Sequence, residues 1–402
     1  MKYRLSKEEK DCILNKMDDY SISIHCWQGD DVAGFENQTG LSGGIQSTGS
    51  YPGKARTPDD LMLDLDKVLS LIPGIHRINL HAIYGVSDGF VDRDKLKPEH
   101  FEPWVRFAKE RGLGIDFNPT FFAHEKAQTL TLSHVDEEIR RFWIDHGKAC
   151  LKISDYFAKS LDTHCLMNIW IPDGFKDIPA DRLGPRLRLK GSLDEILSED
   201  YDKSLVKVAV ESKVFGIGIE SYTVGSHEFY MNYANEKGIM CLLDNGHYHP
   251  TEQVQDKISS MLAFNDELAL HVTRSVRWDS DHVVLLDDET KAIAEEIVKT
   301  DKTVYIGMDF FDASINRITA WVIGVRNMQK ALLMAMTMPH DEMKVLQDED
   351  KFTELMVTRE HGKLMPVAEL WGSYCDRHET LRDAKLMAEI KDYERNILKK
   401  RG

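Results

Sequence analysis

Residues 238–247 read Gly238-Ile239-Met240-Cys241-Leu242-Leu243-Asp244-Asn245-Gly246-His247, a short apolar run that ends in a carboxylate, a glycine and an imidazole. An apolar run of this length without strict alternation is typical of a β-strand that is covered on both faces. Seven other runs in the chain have the same character. The sequence therefore predicts eight buried strands: Ser21–Trp27, Arg77–Tyr84, Gly114–Phe121, His164–Pro172, Val206–Lys213, Gly238–His247, Leu268–Arg274 and Val304–Phe310.

Amphipathic segments lie between these runs, among them Thr57–Ile72, Lys97–Arg111, Asp136–Ser160 and Thr251–Phe264. Strands that alternate with helices indicate a parallel sheet, and eight repeats of the unit favour an α/β fold closed as a (β/α)8 TIM barrel. We therefore predict a barrel catalytic domain over residues 1–338. The sequence after about Arg317 has a helical pattern to its end, so residues 339–402 are predicted to form a C-terminal helical extension with contacts to other subunits.

The composition restricts the partners of this protein. The 402 residues carry 51 Lys and Arg against 67 Asp and Glu, a formal net charge of −16. Nucleic-acid-binding proteins need basic groups opposite phosphates, so this balance argues against a nucleic-acid partner. The six cysteines include no Cys-x-x-Cys pair, the start of the chain lacks the apolar run of a signal peptide, and no stretch approaches the ~18 apolar residues of a membrane span. We expect a cytoplasmic protein with no membrane partner.

Polar residues stand at the end of nearly every predicted strand. In a barrel, the carboxyl ends of the strands converge on one rim, where active sites are built. Contact with solvent is an alternative explanation for any one of these residues. It does not explain a carboxylate or an imidazole at four consecutive strand ends. The residues are His25, His81, Asn118, Asn168, Glu211, Asp244, His271 and Asp309.

Two short motifs carry the residue types of a metal site. Asp244 and His247 are three residues apart, and Gly246 allows a tight turn, so both side chains can face one cavity. Carboxylate and imidazole together are common ligands of Mn, Fe, Co or Zn. The pair Asp279 and Asp281 brings two like charges together, which repel unless a cation lies between them or both stay in water. A local turn with a capping histidine and a solvated loop are the respective alternatives.

The predicted rim of strands five to eight offers more ligands than one metal ion uses. This excess predicts two divalent ions. Lys213 lies beside the acidic residues, where it is either an ion-pair partner or a group that polarises a substrate oxygen. The seven potential ligands are Glu211, Asp244, His247, His271, Asp279, Asp281 and Asp309.

Sequence signatures of several other enzyme classes are missing. The chain has no phosphate-binding Gly-x-x-x-x-Gly-Lys-Ser/Thr loop, and no Gly-x-Gly-x-x-Gly string follows a predicted strand. The polar, glycine-rich stretch from Leu41 to Gly49 has the composition of a binding loop or a lid, and its role stays open.

Several long strings in the chain are similar to those of one enzyme family. Together they cover the chain from about Ser21 to the C-terminus and resemble the L-rhamnose isomerase family. The strings are His25-Cys26-Trp27-Gln28-Gly29-Asp30-Asp31, Tyr51-Pro52-Gly53-Lys54-Ala55-Arg56, Asn79-Leu80-His81-Ala82-Ile83-Tyr84, Asn168-Ile169-Trp170-Ile171-Pro172-Asp173-Gly174, Glu211-Ser212-Lys213, Val276-Arg277-Trp278-Asp279-Ser280-Asp281-His282 and Asp309-Phe310-Phe311-Asp312-Ala313-Ser314-Ile315-Asn316-Arg317.

The resemblance implies a (β/α)8 barrel that is usually a homotetramer and binds two divalent metal ions per subunit. The ion is commonly Mn2+, with Co2+ and Zn2+ as alternatives. By this resemblance, one metal would be held by Glu211, Asp244, His271 and Asp309. The second metal would be held by His247, Asp279 and Asp281, and Asp244 would bridge both ions.

The resemblance also implies the reaction, a metal-assisted hydride shift that interconverts L-rhamnose and L-rhamnulose in rhamnose catabolism without an organic cofactor. The resemblance assigns catalytic roles to Lys213, His247, Asp309 and His81. Lys213 would stabilise negative charge on a sugar oxygen, and His81 would assist ring opening. Trp170 and Phe121 are predicted to line the wall that faces the apolar side of the sugar, with packing in the barrel core as the alternative for both.

Two other functions compete with this prediction. One is a metal-dependent sugar epimerase on a similar barrel, which would be expected to use one metal. The other is a non-enzymatic sugar-binding protein, which has no need for so many clustered carboxylates. The number of potential ligands favours the isomerase.

Overall fold

The computed structural model describes residues 4–26, 51–213, 221–249, 251–275, 281–311 and 315–401. Within them, eight parallel strands pair in chain order and close into a barrel, in which the last strand pairs with the first. The predicted (β/α)8 fold is therefore confirmed. The strands are β1 (Ile22–His25), β2 (His76–His81), β3 (Gly114–Asn118), β4 (Cys165–Trp170), β5 (Val206–Glu211), β6 (Met240–Asp244), β7 (Glu267–Val272) and β8 (Thr303–Met308).

The observed strands end two to three residues earlier than the predicted runs. Local hydrogen bonds and backbone turns at the polar strand ends explain the difference. After β6, the Asp244 Oδ1 atom accepts a hydrogen bond from the Gly246 amide at 2.6 Å, which turns the chain away from the barrel. After β3, Thr120 has a φ of 64°, which no strand can accommodate. Trp27, the predicted end of the first run, and the stretch from Leu41 to Gly49 lie outside the described residues.

Helices follow the strands around the barrel, and four of them match the amphipathic segments predicted from the sequence, one of them ending a residue beyond the predicted end, at Leu161. Side chains cap the amino-terminal ends of several of them: the Thr57 hydroxyl accepts a hydrogen bond from the Asp60 amide at 3.1 Å at the start of α2, and Asp136 caps α4. The helices are α1 (Lys7–Asp18), α2 (Pro58–Leu71), α3 (Glu102–Arg111), α4 (Glu137–Leu161), α5 (Leu183–Ile196), α6 (His227–Lys237), α7 (Val254–Leu262), α8 (Asp288–Lys299), α9 (Arg317–Thr337), α10 (His340–Asp348), α11 (Phe352–Gly362), α12 (Val367–Arg377) and α13 (Asp383–Asn396).

The interior of the barrel consists of layers, because alternate residues of each strand face inward. Leu166, Ala209, Leu242 and Ala269 pack together in one apolar layer. The residues two positions further along the same strands are all polar and buried: Asn168, Glu211, Asp244 and His271. The next layer toward the carboxyl ends of the strands is therefore polar.

A buried ion pair joins the strands nearer their amino-terminal ends. Asp116 accepts hydrogen bonds from Arg77 Nε at 3.0 Å, Arg77 Nη2 at 2.9 Å, Ser23 Oγ at 2.6 Å and the Leu166 amide at 2.9 Å. Burial opposes ionisation of Asp116, but the charge and hydrogen bonds of Arg77 outweigh it, and the pKa of Asp116 lies below its usual value. Side chains and backbone of β1 to β4 are thereby joined around one carboxylate.

The C-terminal helices pack against the outside of the barrel. Helix α9 is buried along most of its length, and α12 packs against α9 and α1. Near the end of the chain, Arg401 Nη1 pairs with the buried Asp64 of α2 at 2.6 Å, and the Tyr393 hydroxyl donates to the same carboxylate at 2.5 Å. The division into residues 1–338 and 339–402 stays a prediction. None of the helices in the described ranges combines the length and apolar character that crossing a membrane would need.

Candidate metal centre

The carboxyl ends of β5 to β8 bring three carboxylates and one imidazole together. One ligand atom from each of Glu211, Asp244, His271 and Asp309 lies within 4.8 Å of the others. The His271 Nδ1 atom is 3.3 Å from Glu211 Oε2, 3.3 Å from Asp309 Oδ2 and 3.8 Å from Asp244 Oδ2. Three carboxylates around one point in a protein interior need positive charge to be stable, which a divalent cation supplies.

A second cluster begins at the same Asp244. Ligand atoms of Asp244, His247 and Asp281 lie within 4.8 Å of one another. Gly246 makes this possible: a Cβ atom on Gly246 would lie 2.7 Å from Asp281 Oδ1 and 3.1 Å from Asp244 Oδ1. The Nδ1 atom of His247 is 2.9 Å from the Ser212 carbonyl oxygen and 3.0 Å from Glu211 Oε1, so Nε2 is the nitrogen that would bind a metal ion. Asp244 belongs to both clusters.

Two of the clustered carboxylates, Asp244 and Asp281, lie in surroundings that disfavour their charged forms. Burial raises the pKa of Asp244 well above its usual value, and repulsion by neighbouring carboxylates adds to the effect. Burial and repulsion by Asp309 and Glu211 also raise the pKa of Asp281, to about 6. Burial opposes protonation of His247, but Asp244 and Glu211 outweigh it and raise the pKa of His247 to about 9.

Buried polar atoms that lack hydrogen bonds are a second indication of a metal site. Among the described residues, the buried Asp244 Oδ2 and Asp281 Oδ1 atoms and both ring nitrogens of His271 make no hydrogen bond. Buried polar atoms without a partner are rare in folded proteins, and metal coordination is one way to satisfy them. Oxygen and imidazole nitrogen atoms are also the donors that Mn2+, Co2+ and Zn2+ accept. The residues present therefore fit divalent metal ions.

A buried cation lies beside the clusters. Lys213 follows β5 and is 5% exposed, and its Nζ atom is 5.3 Å from the centre of the Trp170 ring. Burial lowers the pKa of Lys213 to about 8, against the attraction of three nearby carboxylates. The side chain therefore keeps most of its positive charge at neutral pH. The Trp170 ring also stacks near the His247 ring, with centroids 6.4 Å apart.

Aromatic and polar groups of β2 and of the segment after β3 complete this part of the rim. The Phe122 ring meets Trp170 edge-on at a centroid distance of 5.4 Å and lies 6.4 Å from the His81 ring. His81, at the end of β2, is buried with Thr120 at 3.1 Å from Nδ1 and Asn118 at 3.2 Å from Nε2.

A family model described as L-rhamnose isomerase (RhaA) matches residues 2–401 of the chain. The chain belongs to the L-rhamnose isomerase family. The L-rhamnose isomerase of Mannheimia succiniciproducens is 56% identical to it over 391 residues, 96% of this chain and 94% of that protein. The L-rhamnose isomerase of Salmonella gallinarum is 55% identical over 393 residues, 97% of this chain and 94% of that protein. The resemblance found in the sequence strings is thereby confirmed.

The fold also resembles that of a solved structure. A D-tagatose 3-epimerase-like protein has a TM-score of 0.50 at 10% sequence identity, covering 79% of this chain and 98% of that chain. A likeness at this level of identity shows the fold alone.

The structure brings most of the predicted L-rhamnose isomerase site residues together. Lys213, Trp170 and His81 lie at the same rim as the two clusters of potential metal ligands. Asp279, the remaining predicted ligand, lies outside the described residues, so its place is still a prediction. The predicted ligands that converge are Glu211, Asp244, His247, His271, Asp281 and Asp309.

Phe121 does not lie with the other predicted site residues. It is fully buried, with its ring 5.7 Å from Trp143 and 5.3 Å from His146 of α4, which is the core packing held open as the alternative. Phe122, which sequence reasoning missed, is the phenylalanine that contacts Trp170. The direction of each ring depends on the backbone turn at Thr120, and no glycine marks that turn in the sequence.

Proposed function

We propose that this chain is an aldose–ketose isomerase that interconverts L-rhamnose and L-rhamnulose. Membership in the L-rhamnose isomerase family supports the proposal. The single observation that carries it is the pair of His–carboxylate clusters that share Asp244 at the carboxyl end of the barrel, beside the buried cation of Lys213.

The proposed cofactors are two divalent metal ions per subunit, with Mn2+ as the first choice and Co2+ or Zn2+ as alternatives. The first ion would be held by Glu211, Asp244, His271 and Asp309. The second would be held by Asp244, His247 and Asp281, with Asp279 as a further proposed ligand. When bound, the ions supply positive charge that polarises the C1 carbonyl and makes the O2 hydroxyl more acidic.

The side chains of the protein prepare the sugar for the reaction. Isomerisation moves a hydrogen from C2 to C1 and a proton from O2 to O1. Lys213 stabilises the negative charge that develops on a sugar oxygen, at low cost because its charge is already buried and positioned. Trp170 and Phe122 exclude water from one side of the sugar. His81 takes part in opening the sugar ring, which must precede the isomerisation.

Ketose formation from L-rhamnose tests the proposal. The purified protein is incubated with L-rhamnose and Mn2+, and the product is measured by a colorimetric ketose assay and identified by chromatography. L-Rhamnulose should form, a chelator should abolish its formation, and added Mn2+ or Co2+ should restore it. The exposed variant Asp177→Asn is the matched control for loss of one carboxylate and should behave as the wild type. A lack of ketose, or epimerisation in its place, would overturn the proposal.

The proposed assembly is a homotetramer in which residues 339–402 contact other subunits. Large apolar side chains on α10, on α11 and in the turn after α11 support this, because they are exposed in the single chain: Val345 (54%), Phe352 (59%), Met356 (61%) and Leu364 (66%). The proposed compartment is the cytoplasm, which is supported by the six unpaired cysteines of the chain. Cell fractionation would test this second point.

A further inference from the structure

Thr120, just beyond β3, has a backbone conformation that is unusual for its residue type. Its φ of 64° lies in the left-handed region, where glycine or asparagine is the common choice and a β-branched residue is an outlier. Two groups from other parts of the chain hold this turn: Arg93 Nη1 donates to the Thr120 carbonyl at 2.9 Å, and the His146 ring contacts the Pro119 carbonyl. Strain that is held in place in this way occurs preferentially at functional sites.

The hydroxyl of Thr120 belongs to a buried hydrogen-bond network around His81. The Asn118 Nδ2 amide, which can only donate, lies 3.2 Å from His81 Nε2. The same amide donates to Asn79 Oδ1 at 3.1 Å, and this second bond fixes the orientation of the Asn118 side chain. His81 Nε2 is therefore an acceptor, and the proton of the neutral ring is on Nδ1.

The Nδ1–H group of His81 faces Thr120. The distance from His81 Nδ1 to Thr120 Oγ1 is 3.1 Å, and the hydroxyl donates its own proton to the Asn118 carbonyl at 3.1 Å. Thr120 thus accepts from the imidazole and donates to the backbone. Glycine would relieve the strain at this position but would remove the acceptor that His81 uses.

We propose that Thr120 is a positioning residue for opening of the sugar ring. Its hydroxyl accepts from Nδ1–H and so favours the tautomer with the lone pair on Nε2, which serves as the base once the sugar hydroxyl takes the place of the Asn118 amide there. The inference rests on the proposed function. Once the sugar has replaced Asn118 at Nε2, loss of the Thr120 hydroxyl lets the ring rotate or take the Nε2–H tautomer, and an Nε2–H group cannot accept a proton from the sugar.

The ring-opening step balances with His81 alone. The anomeric hydroxyl of the cyclic sugar gives its proton to His81 Nε2, and the electron pair of that O–H bond forms the C1 carbonyl. The bond between C1 and the ring oxygen breaks, and the resulting alkoxide takes the proton back from the imidazolium. His81 returns to its neutral state, with Nδ1–H bonded to Thr120 throughout.

Two substitutions at Thr120 separate the hydroxyl from the shape of the side chain. Thr120→Val keeps the β-branched shape and removes the hydroxyl, and Thr120→Ser keeps the hydroxyl. In the metal-loaded enzyme, kcat for L-rhamnose should fall by about tenfold or more in Thr120→Val, with KM changed by about threefold or less. Thr120→Ser should keep kcat within about threefold of the wild type. Melting temperatures of both variants show whether they fold.

A double-mutant cycle distinguishes positioning from a general structural role. If Thr120 acts through His81, Thr120→Val should cause no further loss of kcat in a His81→Gln background. An additive loss in the double variant, near-normal turnover in Thr120→Val, or an equal loss in Thr120→Ser would each overturn the inference. If the wild type forms no L-rhamnulose, the proposed function itself fails, and that result is separate from a failure confined to the Thr120 variants.

Discussion

Removal of one carboxylate charge should have opposite effects on the stability of the metal-free protein at Asp281 and at Asp309. Ligand atoms of Asp281 and Asp244 lie within 4.8 Å of each other. Two unit charges at that distance repel by about 3.5 kcal/mol at an effective dielectric constant of ~20. Uptake of a proton by one carboxylate relieves part of this cost. In the presence of a chelator, Asp281→Asn should therefore have a free energy of unfolding roughly 1–3 kcal/mol higher than that of the wild type.

Asp309 has the opposite surroundings, because its Oδ2 atom lies 3.3 Å from the His271 imidazole. Removal of one partner of a buried charged pair costs about 3–5 kcal/mol, and partial exposure of Asp309 places this case near the lower end. Asp309→Asn should therefore lower the free energy of unfolding by about 3 kcal/mol in a chelator. With free metal ~1,000-fold above its dissociation constant, the wild type should gain about 4 kcal/mol. Both variants should lose most of that gain, since each lacks a ligand.

Urea unfolding followed by circular dichroism, in a chelator and in Mn2+, measures these effects for the wild type and both variants. Asp177→Asn, in an exposed position, is the control and should shift stability by no more than about 0.5 kcal/mol in either condition. The electrostatic reasoning would be refuted if Asp281→Asn were less stable than the wild type in the chelator. It would also be refuted if both variants gained as much from Mn2+ as the wild type does.

Three further predictions concern other parts of the molecule. Asp116→Asn should lower the free energy of unfolding in urea by about 3–5 kcal/mol, because Arg77 would keep a buried charge without its partner. Since the pKa of Asp116 is lowered in the folded protein, the stability that this carboxylate contributes should be present above pH ~4 and lost as the pH falls further. A difference between variant and wild type that does not change with pH would contradict this. Phe121→Ala should lower the free energy of unfolding by about 3–5 kcal/mol, whereas Phe122→Ala should mainly raise KM or lower kcat for L-rhamnose. Steady-state kinetics and thermal melts of both variants measure these effects, and the reverse assignment of the two effects would contradict the prediction. Phe352→Lys should shift the mass in light scattering from about four times the 46.1 kDa of the chain toward smaller species, and an unchanged tetramer would remove Phe352 from the interface.

The architecture of the barrel could be predicted from the sequence because its signals are local. Each strand is a short apolar run, and each run ends in polar residues that converge at the same rim. Residues such as Glu211, Asp244 and His271 lie two positions beyond small or apolar interior residues, so the period of a strand predicts that they face inward. The strand ends predicted that these residues converge, and the resemblance to the L-rhamnose isomerase family implied their division into two sets.

Other features depend on contacts between residues that are far apart in the chain. The position of Phe122 depends on a left-handed turn at Thr120, which Arg93 and His146 hold from other elements. The Arg77–Asp116 pair joins β2 and β3, and no sequence motif predicts it. Asp64 and Arg401 are 337 residues apart, so sequence periodicity could not show that the end of the chain packs against α2.

Stepwise loading with metal tests the central claim most directly. Metal-free protein, verified by elemental analysis, is titrated with Mn2+ while bound metal per subunit and the rate of L-rhamnulose formation are measured together. Two clusters that share Asp244 predict binding of two ions per subunit, no activity in the metal-free protein and turnover that appears as the second ion binds. Full activity without metal, or full activity at one ion per subunit, would contradict the account.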